Sequence, residues 1–331
     1  MNFDILIDIL SRYVFNIANI QGMLRLATPI ILAGLCALIT DRAGILNIAG
    51  EGMMLFGAWC AVAGSWFFHS ATAGLIAAII SGLLVGGLFA LFSLKFRANI
   101  IVMGIAINIF ATSATIFLTR AVYKVAGSFS NPDLQGFSPI HIPLIKDIPV
   151  LGEILSGYTF PVYLSWILVV LTAIFLYRTP WGLHLRAVGE NPQAAETLSI
   201  NVPLIRFLAV MASGVFAALA GVYLSLGDLI GYTDQMSSGR GFIGMAVNTF
   251  AGGQPVGVFL SSLLFGFVDK IGGRLQAERI MPIYFVNMLP YLVTLLALTY
   301  FTIRQRQVAR AKVSKQIAAK AQAPTEGAPA A

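Results

Sequence analysis

The stretch GENPQAAETLSINV, residues 189–202, is polar, yet it joins two apolar runs, FPVYLSWILVVLTAIFLY (160–177) and FLAVMASGVFAALAGVYLSL (207–226). Each run approaches the roughly 20 apolar residues that a membrane-crossing helix needs. What lies between two such runs tells whether the connection is a mere turn. Pro180 and Pro203 bracket it and discourage one continuous helix. Asn191 suits an N-cap with Pro192 at the first helical position, so the spacing predicts one short helix over PQAAETLS. Ala194 and Leu198 share a face, with Ala195 beside them. A small, capped, apolar helix suits a groove on another protein. An amphipathic helix resting on the bilayer has the same composition, and both readings stay open on this segment alone.

The rest of the chain makes lipid its solvent. Of 331 residues, 58% are hydrophobic and 11% charged, against roughly a quarter charged in soluble domains. Residues 1–20 fit a signal peptide poorly, because Asp4, Asp8 and Arg12 interrupt the would-be apolar region. Cys36 and Cys60 fall inside apolar runs, which reads as inert packing with neither a disulfide nor a metal site.

Apolar runs near 22–40, 46–68, 71–94, 99–119, 158–177, 204–227, 241–254, 255–271 and 282–303 predict an all-α, polytopic membrane bundle. The count is about nine spans, within a range of eight to ten. The seventh and eighth runs are short and hinge at GGQP, as broken or re-entrant helices do. Gly82 and Gly86 stand at GxxxG spacing and predict close helix packing. Three regions follow: an N-terminal interfacial helix over 1–21, a transmembrane domain over 22–303, and a basic, disordered tail over 304–331.

Lysine and arginine placement sets the orientation. From Arg304 onward the tail holds six basic residues against Glu326, which accounts for five of the seven net positive charges. Beside a span this bias marks the cytoplasmic side, with no call for nucleic acid. Counting back places Asp41 and Arg42, Lys95 and Arg97, and the 178–206 segment inside, and 120–157 outside. Residues 269–279, at net +1, would lie outside against this rule. No G-x-x-x-x-G-K-[ST] loop is present, so energy for uphill transport must come from elsewhere.

Polar residues inside spans are the candidates for chemistry. Asn47 and Glu51 stand four apart near the start of the second span, and Gly50 and Gly52 flank the acid. An acid in a span costs about 2.5–3.5 kcal/mol on insertion scales and so faces a cavity or a partner. Two readings of Glu51 are open: a brace for the amides of a broken helix, or part of a solute path. The other polar residues in spans are Asn108, Thr112, Ser113, Asn248, Thr249 and Asn287. Asn108 shares a face with Thr112, and Asn108 and Asn248 are further path candidates, with interhelical hydrogen bonding the more common use of such residues. Asp228 and Asp234 fall at the outer mouth and Arg240 at a span entrance. His69, His141 and His184 lie at span ends or in loops, and there is no acid pair or HExxH. No catalytic or metal-ligating set is expected.

Several segments in register, ITDRAGILNIAGEGMMLFGAW, RAVGENPQAAETLSINVPLIRFLAV, SGVFAALAGVYLSLG, SGRGFIGMAVNTFAGGQPVG and MLPYLVTLLAL, resemble the permeases of bacterial ATP-binding-cassette importers. The likeness covers roughly residues 22–302 and points to the branched-chain amino acid, ribose and simple-sugar family, most of all to its nucleoside branch. It implies that the polar insert is a coupling helix, seated on a separate ATPase subunit through Glu190, Asn191, Pro192, Ala194, Ala195 and Leu198. It also implies a second, unlike permease chain, a substrate-binding lipoprotein, and a place in the bacterial inner membrane with the tail in the cytoplasm. No cofactor is expected on this chain; ATP and magnesium belong to the partner. Where the nucleoside branch usually has Gly before Ile200, this chain has Ser199, a change expected to cost little at a helix end. The expected function is thus passage of nucleosides or related sugars, and not catalysis. The competing reading is a stand-alone secondary transporter or channel, for which Glu51 is the clearest charge-coupling group.

Overall fold

The computed structural model describes residues 17–141 and 151–277, with Met288, Leu292 and Thr299 as isolated helical positions beyond. The readings for residues 1–16, for the span at 282–303 and for the tail therefore lie outside the described residues, as does 142–150 of the outer loop.

The first helix, α1 (Ile17–Asp41), starts ahead of the span read from residue 22 and continues through Pro29. It is buried without a break from Ala27 to Thr40. A helix that is apolar all round belongs in the middle of a bundle, and α1 packs against most of the later long helices. Residues 42–49 then form an irregular segment before α2 (Gly50–Phe68), so the second span begins later than its apolar run. Next come α3 (Ala71–Ala90), running into a wide π-helical turn at Leu91–Lys95, and α4 (Ile100–Leu118), ending in another at Thr119–Tyr123. The Asn99 side chain caps α4 by accepting from the Ile101 and Val102 amides at 2.9 and 3.3 Å.

The connection after α4 holds β1 (Ser128–Phe129), β2 (Pro139–Ile140), a short α5 (Leu151–Leu155) and β3 (Tyr158–Thr159). It is followed by α6 (Phe160–Arg178), α7 (Pro180–Glu190), α8 (Pro192–Thr197) and α9 (Val202–Val222), the last extended by a π-helical stretch over Tyr223–Leu229. After β4 (Tyr232–Thr233), the chain ends its described part with α10 (Arg240–Phe250) and α11 (Pro255–Ala277). Two antiparallel ladders form, one within the connection between α4 and α6 and one joining it to the segment before α10. Phe129 pairs with Tyr232 across β1 and β4, and Ile140 with Tyr158 across β2 and β3.

Among the described residues six helices are long and apolar enough to cross a membrane. They are α1, α3, α4, α6, α9 and α11, several with their π-helical ends. The hydropathy of α2 is lowered by Glu51 and its glycines, and at eleven residues α10 is too short to cross. The expected pair of short elements hinging at GGQP is thus one short helix, α10, a turn over 251–254, and one long helix, α11. The glycine spacing read from sequence brings α3 against α9, where Gly82 lies on the backbone of Gly214. Close backbone approach of this kind is how membrane helices pack where lipid removes the hydrophobic drive between them. By contrast α4 is only 22% buried over its most apolar window. Its exposed Ile101, Val102, Ile105 and Phe117 face away from this chain's own core.

The short helix expected over PQAAETLS is α8, and a further helix, α7, precedes it. Thr179 caps α7, its hydroxyl accepting from the Gly182 amide at 3.1 Å. Asn191 ends α7 and caps α8, accepting from the Ala194 amide at 3.0 Å with Pro192 next in line. Ser199, just past α8, has φ +61°. This left-handed backbone costs an L-residue about 1–2 kcal/mol, so a glycine would fit there more cheaply than the sequence reading allowed.

Candidate functional site

The site is built around the half-length helix α10. The first amides of a helix have no partner within it; here those of Gly239 and Gly241 donate to Glu51, near the start of α2, while the Arg240 amide donates to the Ser237 carbonyl at 3.0 Å. One carboxylate oxygen of Glu51 accepts from the Ser237 hydroxyl at 2.6 Å and from the Gly239 amide at 2.8 Å; the other accepts from the Gly241 amide at 2.7 Å. The carboxylate thus sits where the helix dipole favours negative charge. Glycine is needed at 241 because a Cβ there would stand 2.6 Å from the Glu51 Cα. Of the two readings open for this acid, the brace describes its bonds.

Asn108 on α4 braces the other side of the same break. Its amide nitrogen donates to the Ile48 carbonyl at 2.9 Å, and its oxygen accepts from the Gly52 amide at 2.8 Å. Glu51 and Asn108 also line a cleft of about 440 Å³, together with Thr112, Ser113, Gln235, Ser237, Ser238 and Phe242. The sequence reading therefore found one wall of this cleft. It missed the wall made by the turn before α10. The available signal was the run QMSSGRG ahead of a short apolar segment, a serine- and glycine-rich entry to a helix that starts inside the bundle.

Asn47 and Asn248, read as path residues, do not reach the cleft. Asn47 is buried; it donates to the Ser213 hydroxyl on α9 at 2.9 Å and accepts from the Ala49 amide at 3.0 Å. It pins the irregular 42–49 segment to α9. Asn248 is buried at the far end of α10 and donates to Asp41 at 3.1 Å. Both are interhelical hydrogen-bonding groups, the alternative use of polar residues in spans. Among the described residues no group of three or more His, Cys, Asp or Glu side chains converges.

A second site lies at the α7–α8 corner. Glu190, Asn191, Ala194 and Leu198 are exposed, Leu198 to 74%, and Pro192 is half-buried. Ala195 is 2% exposed and joins the chain's own core, so it offers nothing to a partner in this conformation. The pair Ala194 and Leu198 therefore has to carry an apolar contact face without it. This corner rests on the segment after α1. Gly189 lies directly on the Arg42 carbonyl, and Arg206 donates to the Ala43 carbonyl at 3.3 Å. Arg42 in turn donates to the carbonyls of Gly253 at 2.7 Å and Gly252 at 3.1 Å, in the turn that ends α10.

Comparison with known proteins agrees on one kind of molecule. A family model described as branched-chain amino acid transport system / permease component matches residues 19–298. The guanosine ABC transporter permease protein NupQ of Bacillus subtilis (strain 168) is 36% identical over 285 residues, 83% of this chain and 89% of its own length. The nucleoside ABC transporter permease protein NupC of Lactococcus lactis subsp. cremoris (strain MG1363) is 33% identical over 296 residues, 85% of this chain and 91% of its own. A second Bacillus subtilis protein, the guanosine ABC transporter permease protein NupP, is 29% identical over 292 residues, covering 85% of this chain and 81% of its own.

Proposed function

The chain belongs to the branched-chain amino acid transport permease family, and from that premise we propose that it is the membrane permease of an ATP-binding-cassette importer for nucleosides. The observation that carries this is the match to guanosine and nucleoside permeases along nearly their whole length. It is a transport subunit, and its work is to open a path, not to make or break bonds.

In this reading the bundle has eight full-length spans, the low end of the expected range: α1, α2, α3, α4, α6, α9, α11 and one at 282–303, with α10 a broken half-span between α9 and α11. An interfacial segment precedes α1, and the basic tail at 304–331 lies in the cytoplasm. The α7–α8 corner is then cytoplasmic and meets the ATPase subunit through Glu190, Asn191, Pro192, Ala194 and Leu198. The partner binds ATP and magnesium. Differential affinity of ATP for two arrangements of the complex supplies the free energy. A second permease closes the path, and that Bacillus subtilis has two distinct guanosine permeases resembling this chain supports a pair of unlike chains. A lipoprotein delivers the solute from outside. The cleft beside Glu51 and Asn108 is the path wall.

A stand-alone transporter would need a free charged group in the path. Glu51, its best candidate, is held by three donors of its own chain.

The test is uptake of radiolabelled guanosine, adenosine and ribose by cells expressing the chain together with its partner ATPase, second permease and lipoprotein. Uptake of nucleosides that stops when the ATPase is inactivated is the expected result. Uptake driven by an ion gradient without the ATPase would overturn the proposal.

A further inference from the structure

We infer that the cleft reads a nucleoside by its base, with Phe242 as the stacking face and Gln235 and Ser113 as the hydrogen-bonding groups. This rests on the importer reading above and names which part of the solute the path recognises.

The polar side chains of the cleft differ in whether their own chain already engages them. Both oxygens of Glu51 and both ends of Asn108 are occupied by their own chain. Thr112 donates to the Asn108 carbonyl at 2.9 Å, and the Ser238 hydroxyl to the Gln235 carbonyl at 3.2 Å. The Ser113 hydroxyl and the Gln235 carboxamide are exposed and make no hydrogen bond with the described residues. They are the polar side chains of the cleft with no hydrogen bond to the described residues, and both are neutral. An amide presents donors and an acceptor in one plane, which suits the edge of a planar heteroaromatic ring. Phe242, the first turn of α10, is 46% exposed in the same cleft. A base can add aromatic stacking on that ring, whereas a sugar can add only C–H contacts.

The backbone supports the assignment independently. Gln235 has φ +56°, a conformation in which glycine is the cheap choice. The turn is held by the Ser238 amide, which donates to the Gln235 carbonyl at 3.0 Å. Strained non-glycine residues gather where the side chain is needed in place.

The test uses the complete importer in cells, with uptake of guanosine, adenosine, cytidine and ribose measured in Phe242→Leu, Phe242→Tyr, Gln235→Gly and Ser113→Ala. Gln235→Gly suits the left-handed turn while removing the carboxamide, so folding is safe, and co-purification with the ATPase checks assembly in each variant. Phe242→Leu should lower guanosine uptake about tenfold and Phe242→Tyr restore it. Gln235→Gly should shift the preference among bases, and Ser113→Ala should act in the same direction. If the assembled variants all take up guanosine like the unaltered chain, the inference is overturned while the importer reading stands. If the unaltered chain takes up ribose and no nucleoside, the reading beneath it fails instead.

Discussion

The guanidinium of Arg42 and the carbonyl of Gly253 meet at 2.7 Å, joining the segment after α1 to the turn after α10. The same segment lies under Gly189 at the α7–α8 corner. At the other end of α10, the amides of Gly239 and Gly241 hold Glu51 at the cleft. A continuous chain of contacts therefore runs from the exposed corner to the cleft, with α10 as its rigid middle.

Arg42→Gln should break that chain without emptying the core. Uptake should fall roughly tenfold, within the 1–3 kcal/mol typical of coupling between sites, while the ATPase still co-purifies. Uptake and ATP hydrolysis measured on the same preparation check this; unchanged stoichiometry between them would exclude the linkage.

Glu51→Gln replaces an acceptor with a group that must turn a donor toward the α10 amides. Hydrogen bonds to a charged group contribute about 1.5–3 kcal/mol each. The variant should lose stability on that order, seen as a lower thermal midpoint in detergent. Lost transport at an unchanged midpoint would instead make the carboxylate a direct participant in the path.

Leu198→Glu changes a side chain 74% exposed, so the permease should fold as before. Its association with the ATPase should weaken roughly tenfold or more, as truncation of a central contact does. Ala195→Arg is a different experiment. It puts a large cation into the core and should cost about 1–3 kcal/mol from overpacking alone, lowering permease yield before any contact with the ATPase is tested. Pull-down at matched permease concentration separates the two.

Ser199→Gly should stabilise the corner by about 0.5–1 kcal/mol, relief of the left-handed strain less the greater freedom of the unfolded glycine. A raised thermal midpoint checks it.

Much of the site was legible because membrane spans make polar residues conspicuous. Asn191 was readable as a cap, since an N-cap needs only its neighbours in the chain. Glu51 and Asn108 stood out because a carboxylate or amide in lipid requires a partner. Which partner was not legible: the amides of residues 239 and 241 come from a helix almost two hundred positions away, and backbone donors carry no sequence signature. Asn47 and Asn248 looked the same in sequence as Asn108, yet they bond Ser213 and Asp41 away from the cleft.

What the amino-acid order determined by itself was local or additive: a lipid-soluble bundle, its runs and breaks, the capped helix at 192–197, and the kinship that those segments carry. Periodicity, hydropathy and capping act over a few residues, so they can be read along a line. The tertiary structure alone decided that Ala195 turns inward while Leu198 stays out, that the Glu51 charge is met by α10, and that Gln235, Ser113 and Phe242 share one cleft. Those facts depend on how helices distant in sequence cross, and the crossing is set by the packing of every helix at once.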